Sequence, residues 1–262
     1  MCETPCGPLV ALFPSQKEMS PVRDYAETTR RVGALSRPGC TADVYGEVAG
    51  MPLHMVAVEE ADGESPWVLV TGGVHGDEPA GVEAALRFLE ARCDGYIDRF
   101  RFLVAPCVNP TGYAANRREN GAGLDINRAF DGLGATEADA LKGSLKGRRF
   151  ACAVDFHEDW ETSGFYMYEG VSGRAEVGTQ VVERVASIGP IDKDTDPADP
   201  PTAPGVYPVS MSWGTVGLAP YLLANHTPHV VITETPSTAW DLDRRVDAHL
   251  AALGTVLRAH LG

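Results

Sequence analysis

Four side chains stand where apolar runs end, and their types could do hydrolytic chemistry together. The run Trp67–Thr71 leads through Gly72-Gly73-Val74 into His75-Gly76-Asp77-Glu78. That spacing puts an imidazole and a carboxylate at the carboxyl end of a strand, where α/β folds keep their sites. The flanking glycines let backbone approach a ligand closely, although the same residues also suit a Gly-rich turn with Asp77 or Glu78 capping the next helix. A second run ends in Val154-Asp155-Phe156-His157. Alone, His157 would serve as a satisfied core histidine. With His75 and Glu78 it completes two imidazoles and one carboxylate, a ligand class of catalytic zinc that leaves a fourth position open. A third run, Val230-Val231-Ile232-Thr233, ends in Glu234, and an acid there is awkward for a core strand and natural for a general base. Between these runs lie Arg118-Glu119-Asn120 and Asp125-Ile126-Asn127-Arg128. Guanidinium groups among amides and glycines can grip a carboxylate through a bidentate fork; an ion pair of Arg128 with Asp125 or Asp131 is the structural alternative.

The elements that must position these groups follow from length and residue type. Strands are expected at Ala42–Val48, Leu53–Glu59, Trp67–Thr71, Phe100–Pro106, Ala151–Phe156, Phe165–Tyr168 and His229–Thr233, all apolar or alternating and rich in β-branched residues. Helices are expected at Pro21–Val32, Pro79–Arg92 with Asp77 as its cap, Glu137–Arg149, Gly173–Ile188 and Asp241–Leu261. The alternation predicts an α/β protein: a mixed, largely parallel twisted sheet flanked by helices in three layers, α/β/α. Residues 1–40 read as an N-terminal arm and 41–262 as one catalytic domain. The proline-rich segment Pro190–Pro208 reads as a loop within it.

Composition narrows the function. The 262 residues carry 22 Lys and Arg against 36 Asp and Glu, a net charge of −14, which argues against a nucleic-acid partner because phosphate neutralisation needs clustered cations. The short cluster Lys146-Gly147-Arg148-Arg149 reads as a solvated helix end. Hydrophobic residues at 44% and charged residues at 22% suit a folded globular chain. No run approaches the roughly 20 apolar residues of a membrane span, and Met1-Cys2-Glu3-Thr4-Pro5 lacks the basic and apolar regions of a signal peptide. Cys2 and Cys6 have no matching second pair and read as reduced thiols rather than a metal site. Cys107 and Cys152 read as small core hydrophobes. A cytoplasmic location is the default expectation.

Taken in order, Gly73-Val74-His75-Gly76-Asp77-Glu78, Arg118, Asp125-Ile126-Asn127-Arg128, His157 and Glu234 resemble the zinc carboxypeptidase superfamily. The strings Arg118-Glu119-Asn120 and Gly164-Phe165-Tyr166-Met167-Tyr168-Glu169 are most similar to its compact bacterial members. The resemblance covers roughly residues 67–236. It implies a zinc carboxypeptidase-like fold and one zinc ion held by His75, Glu78 and His157. Asp125 would fix the ring of His75, Arg118 would stabilise the oxyanion, and Asn127 and Arg128 would hold the substrate carboxylate. Glu234 would carry the proton from water to the leaving amine. Arg117, next to Arg118, is the alternative for the oxyanion role, and its other reading is a surface cation. The implied activity is removal of a C-terminal residue from a peptide. The short spacing from Glu78 to His157 also approaches the aspartoacylase and succinylglutamate desuccinylase branch, whose chemistry would make this an N-acyl amino-acid amidohydrolase. Either substrate, peptide or acyl-amino acid, carries a free carboxylate. The superfamily's mobile tyrosine has candidates in Tyr207 and Tyr221, and neither is assigned. His54, His226, His229, His249 and His260 are not expected to bind metal, and Trp213 and Trp240 read first as core residues that could line a pocket.

Overall fold

Apolar runs buried on both faces form the middle of the sheet: Trp67–Gly72 (β3), Arg101–Ala105 (β4), Cys152–Asp159 (β5) and His229–Pro236 (β8). The computed structural model describes residues 23–59, 64–132, 134–174, 176–192, 200–210 and 213–261. Cys40–Val48 (β1), Met51–Val58 (β2), Tyr166–Val171 (β6) and Val206–Pro208 (β7) complete eight strands in the order β1-β2-β4-β3-β5-β8-β6-β7. The central pairs β4–β3, β3–β5 and β5–β8 are parallel, and antiparallel pairs join them to β2 and β6. This is the expected mixed sheet. Parallel strands need crossovers, and helices supply them.

Strand side chains alternate between faces, and two separate cores follow. Val68, Val70, Val104, Val154, Phe156 and Val231 pack with Tyr25–Gly33 (α1), Pro79–Arg87 (α2), Gly178–Val185 (α5) and Leu242–Ala259 (α7). Leu69, Leu103, Ala153 and Ile232 pack on the other face with Thr136–Leu145 (α4) and Leu218–Asn225 (α6). A short helix, Pro110–Ala115 (α3), follows β4; its cap is Asn109, whose side chain accepts from the Gly112 N–H.

Several boundaries differ from expectation for local reasons. The helix expected at Pro79–Arg92 becomes α2 followed by a single π-helical turn, Phe88–Arg92. Asp77 does not cap α2. Glu78 occupies the cap position without a side-chain bond of its own, because its carboxylate faces His75. Glu158 takes the capping role from β5, accepting from the Ala80 N–H at 2.5 Å. The segment read as a loop over 190–208 contains β7, which pairs with β6. Helices α3 and α6 were not expected. Within residues 1–40, α1 lies against the domain: Tyr25 Oη donates to the Pro52 carbonyl at 2.6 Å, and Arg23 reaches the Gly76 carbonyl at 2.8 Å. Cys2 and Cys6 lie outside the described residues, while Cys107 and Cys152 are buried free thiols. Lys146–Arg149 is exposed beyond α4. Among the described residues no helix is long and apolar enough to cross a membrane.

Candidate active site

The three metal-ligand candidates meet on the α4/α6 face, at the carboxyl ends of β3 and β5. His75 and Glu78 lie in the turn from β3 to α2, which packs so tightly on α3 and the residues just after it that a Cβ at Gly76 would overlap the Gly112, Tyr113 and Arg117 backbone. All three side chains are buried, and one ligand atom of each falls within 4.8 Å of the others. His75 Nδ1 is 2.6 Å from Glu78 Oε1, His157 Nδ1 is 2.9 Å from Glu78 Oε2, and the two Nδ1 atoms are 3.1 Å apart. The opposite ring nitrogens face carboxylates: His157 Nε2 is 2.9 Å from Asp155, and His75 Nε2 is 3.3 Å from Asp125. Thr71 donates to the other oxygen of Asp155 at 2.6 Å.

That arrangement fits a cation. His157 Nε2 is hydrogen-bonded to Asp155, so its Nδ1 presents a lone pair to Glu78, while His75 Nε2 and Glu78 Oε2 are buried without a hydrogen-bond partner of their own. Three acceptors converging in a buried space repel one another unless a positive charge lies between them. The electrostatics of the buried groups agree. Burial lowers the affinity of His75 and His157 for a proton, but the adjacent carboxylates outweigh it and both shift upward. Burial alone would raise Glu78, yet the two imidazoles hold it far below the ordinary carboxylate range. The donor set, two imidazoles and a carboxylate with aligned carboxylates behind the rings, is that of a catalytic zinc site.

Glu234 stands beside His157, since the two residues are paired in the parallel β5–β8 register. Burial pushes its carboxyl up to about 8; charge on His157 opposes that rise and charge on Glu78 adds to it. A cation at the triad pulls the same group down. Behind it, Thr233 and Thr235 point to the opposite face, where His249 of α7 bonds their hydroxyls at 2.8 and 3.1 Å. One buried imidazole thus pins the backbone on both sides of Glu234. Burial lowers His249 to about 3, so it is neutral in the folded chain. Above the ordinary histidine value of about 6.5 this costs nothing. Below it the unfolded chain takes up a proton that the folded chain refuses, and stability falls by up to roughly 1.4 kcal/mol per pH unit. His249→Gln is expected to flatten the decline of the urea midpoint as pH falls below about 6.5; an unchanged slope would show that other groups carry it.

A cavity of about 490 Å³ opens over this face, lined by His75, Glu78, His157 and Glu234 together with Arg118, Asn127 and Arg128. Arg118 is held at 3.0 Å by Asp125, which thereby links it to His75. Arg117 turns away and donates to the Asn120 carbonyl at 2.9 Å. Arg128 has no carboxylate partner among the described residues, so the alternative pairing with Asp125 or Asp131 is absent; its guanidinium donates to the Asn127 carbonyl at 2.8 Å. Asn127 Oδ1 accepts from the Leu218 N–H at 2.8 Å, which caps α6 and leaves the amide nitrogen for the cavity. Tyr166, Tyr168, Trp160 and Trp213 complete the wall.

Comparison with known proteins agrees with this geometry. Residues 64–189 match the succinylglutamate desuccinylase/aspartoacylase catalytic domain. Carboxypeptidase SOL1 of Arabidopsis thaliana is 28% identical over 151 residues, 49% of this chain and 30% of that protein. An N-alpha-acetyl-L-2,4-diaminobutyric acid deacetylase of Halomonas elongata is 38% identical over 123 residues, 45% of this chain and 34% of the relative. These matches span about a third of each curated relative's length. The crystal structure of a candidate metallopeptidase from Shewanella baltica superposes with a TM-score of 0.76 at 23% identity, covering 90% of both chains. The chain has a zinc carboxypeptidase-like fold.

Within the carboxypeptidase-like fold, several groups around the site were not assigned roles from sequence. Asp155 orients His157, and its signal was present as the same-face residue two positions earlier on the strand. Glu158 faces the other way and forms a buried ion pair with Arg245 of α7. Tyr166 donates to Asp159 at 2.8 Å. Neither tyrosine considered for the mobile role lines the cavity: Tyr207 is buried against Tyr166 and Tyr168, and Tyr221 contacts His226. Trp213 lines the cavity, whereas Trp240 is buried in the core beneath Arg244. The other five histidines lie outside the triad; His229, for example, bonds Glu169 at 2.9 Å.

Proposed function

We propose that this chain is a zinc-dependent carboxypeptidase that hydrolyses the last peptide bond of a substrate with a free C-terminus. The observation that carries the reading is one cavity holding the His75–Glu78–His157 triad, Glu234 and two arginines. Zinc in that triad would supply a Lewis acid that acidifies water and polarises a carbonyl. The chain's own groups do the rest. Arg128 and the Asn127 amide grip the terminal carboxylate and set the scissile bond over the site. Arg118, held in place by Asp125, faces the oxygen on which charge develops. Glu234 takes a proton from water and returns it to the leaving amine. Asp155 keeps the His157 ring in the tautomer that presents Nδ1, and Asp125 fixes the ring of His75.

The carboxylate grip has a direct test. Amidating the substrate's C-terminus should reduce kcat/KM about as much as Arg128→Ala does, by roughly 1.5–3 kcal/mol, the size of a hydrogen bond to a charged group. The two changes should not add, because both remove the same contact. Equal rates on free and amidated substrates would point to an endopeptidase.

A second reading is favoured by the matched catalytic domain and the deacetylase relative: an N-acyl amino-acid amidohydrolase using the same residues. N-blocked dipeptides and N-acyl amino acids, assayed side by side at controlled zinc occupancy, separate the two. Faster turnover of acetyl- or succinyl-amino acids than of every peptide would establish the second.

A further inference from the structure

A second cavity, of about 450 Å³, lies on the other face of the sheet from the triad, and none of its described lining residues belongs to the catalytic cavity. It is bounded by α7, the end of α5 and the π-helical turn that follows α2. Asp247, Leu250, Ala251, Gly254 and Arg258 reach it from one stripe of α7 at helical spacing. Arg184 and Ile188 reach it from α5 and the residues just after, and Phe88 and Arg92 from the two ends of the π turn. Turns of that kind recur at functional sites.

The lining is cationic above an apolar floor. Phe88 and Leu253 are buried, and Ile188 and Leu250 are half-buried. Arg92, Arg184 and Arg258 are exposed, and none has a carboxylate partner among the described residues. The acids nearest Arg92 in the chain are engaged elsewhere, Glu90 with Arg31 and Asp94 with Arg37. Arg184 donates to the Ser187 hydroxyl at 3.3 Å, and Arg258 donates to Tyr96 Oη at 3.3 Å and to Thr255 Oγ1 at 3.0 Å. Those partners are neutral, so they orient the guanidinium groups without cancelling their charge. A Cβ at Gly254 would stand 3.0 Å from Tyr96 Oη, so glycine there leaves room for the Arg258–Tyr96 contact. Asp247 is the one acid among the described lining residues. Three arginines against it leave a positive excess around this space, in a chain whose net charge is −14.

We propose that this cavity binds a small anion with an apolar body: a carboxylate or phosphate group carried on an aromatic or branched hydrocarbon frame. The guanidinium fork suits either headgroup. The floor of Phe88, Leu250 and Leu253 takes the body out of water, and the volume is that of a small-molecule site. An anion without the apolar body gains the charge contacts and leaves the floor wet. The site stands apart from the triad, so it does not rest on the proposed hydrolysis.

Titration calorimetry on the full zinc-loaded chain tests the site, with phenylacetate and phenyl phosphate as probes. Their controls are phenylacetamide, which lacks the charge, and inorganic phosphate, which lacks the ring. At least one probe should bind, and the tighter of the two identifies the headgroup. The control for that probe should bind at least about tenfold more weakly. Arg184→Gln and Arg258→Gln should each weaken the same binding event by at least about tenfold. Both side chains are exposed, so neither change should unfold the protein. Arg128→Ala, in the catalytic cavity, should leave that event in place. Binding by neither probe would overturn the proposal, as would equal affinity for the tighter probe and its control. Binding unmoved by Arg184→Gln and Arg258→Gln would also overturn it, and its loss in Arg128→Ala instead would place the anion in the catalytic cavity.

Discussion

Glu234→Gln should leave a folded, zinc-binding protein whose turnover is at least about a hundredfold lower. The substitution keeps the side chain's size and its hydrogen-bonding reach. It removes only the ability to accept a proton. The strand around it supports this outcome, since Thr233 and Thr235 remain tied to His249 and the register with β5 is unaffected. Burial holds the wild-type carboxyl up to about 8 in the metal-free site, so a neutral amide should fit that environment without loss of stability. Zinc content, melting temperature and turnover measured on one preparation give the answer. Near wild-type turnover with a lowered melting temperature would make Glu234 a structural acid and move the base elsewhere.

His157→Ala should abolish stoichiometric zinc and, with it, activity. The variant loses one of the converging ligand atoms and the ring that Asp155 orients. It leaves Asp155 bonded to Thr71 and leaves both cores in place, because His157 belongs to neither. Far-ultraviolet circular dichroism should therefore be close to wild type while metal analysis finds no bound zinc. Full zinc retention would remove His157 from the ligand set.

How far the sequence carries depends on whether a feature is local. The strands β3, β5 and β8 are continuous apolar runs, so both the strands and the polar residues ending them could be read directly. The pair His75 and Glu78 is local to one turn. Short elements were harder. Strand β7 is three residues long and exists through its pairing with β6, and α6 begins beside a proline and takes its cap from Asn127 far away in the chain. The same contrast governs the site. Asp155 sits on the same strand face as His157, and alternation alone could have revealed it. The placing of Tyr166 opposite Glu234, the Glu158–Arg245 pair and the His249 brace depends on register and helix packing across the sheet. Asp77 failed as a cap because the sequence does not show that β5 delivers Glu158 to the start of α2.

The most direct test of the proposed activity is release of the C-terminal amino acid from an N-blocked dipeptide as zinc is titrated into chelator-treated protein. Release should rise with added zinc and level off at about one ion per chain, the capacity of a two-histidine, one-glutamate site, and amidation of the same dipeptide should suppress it. Hydrolysis that persists undiminished in the metal-free protein, or no release from any dipeptide with zinc fully bound, would contradict a zinc carboxypeptidase.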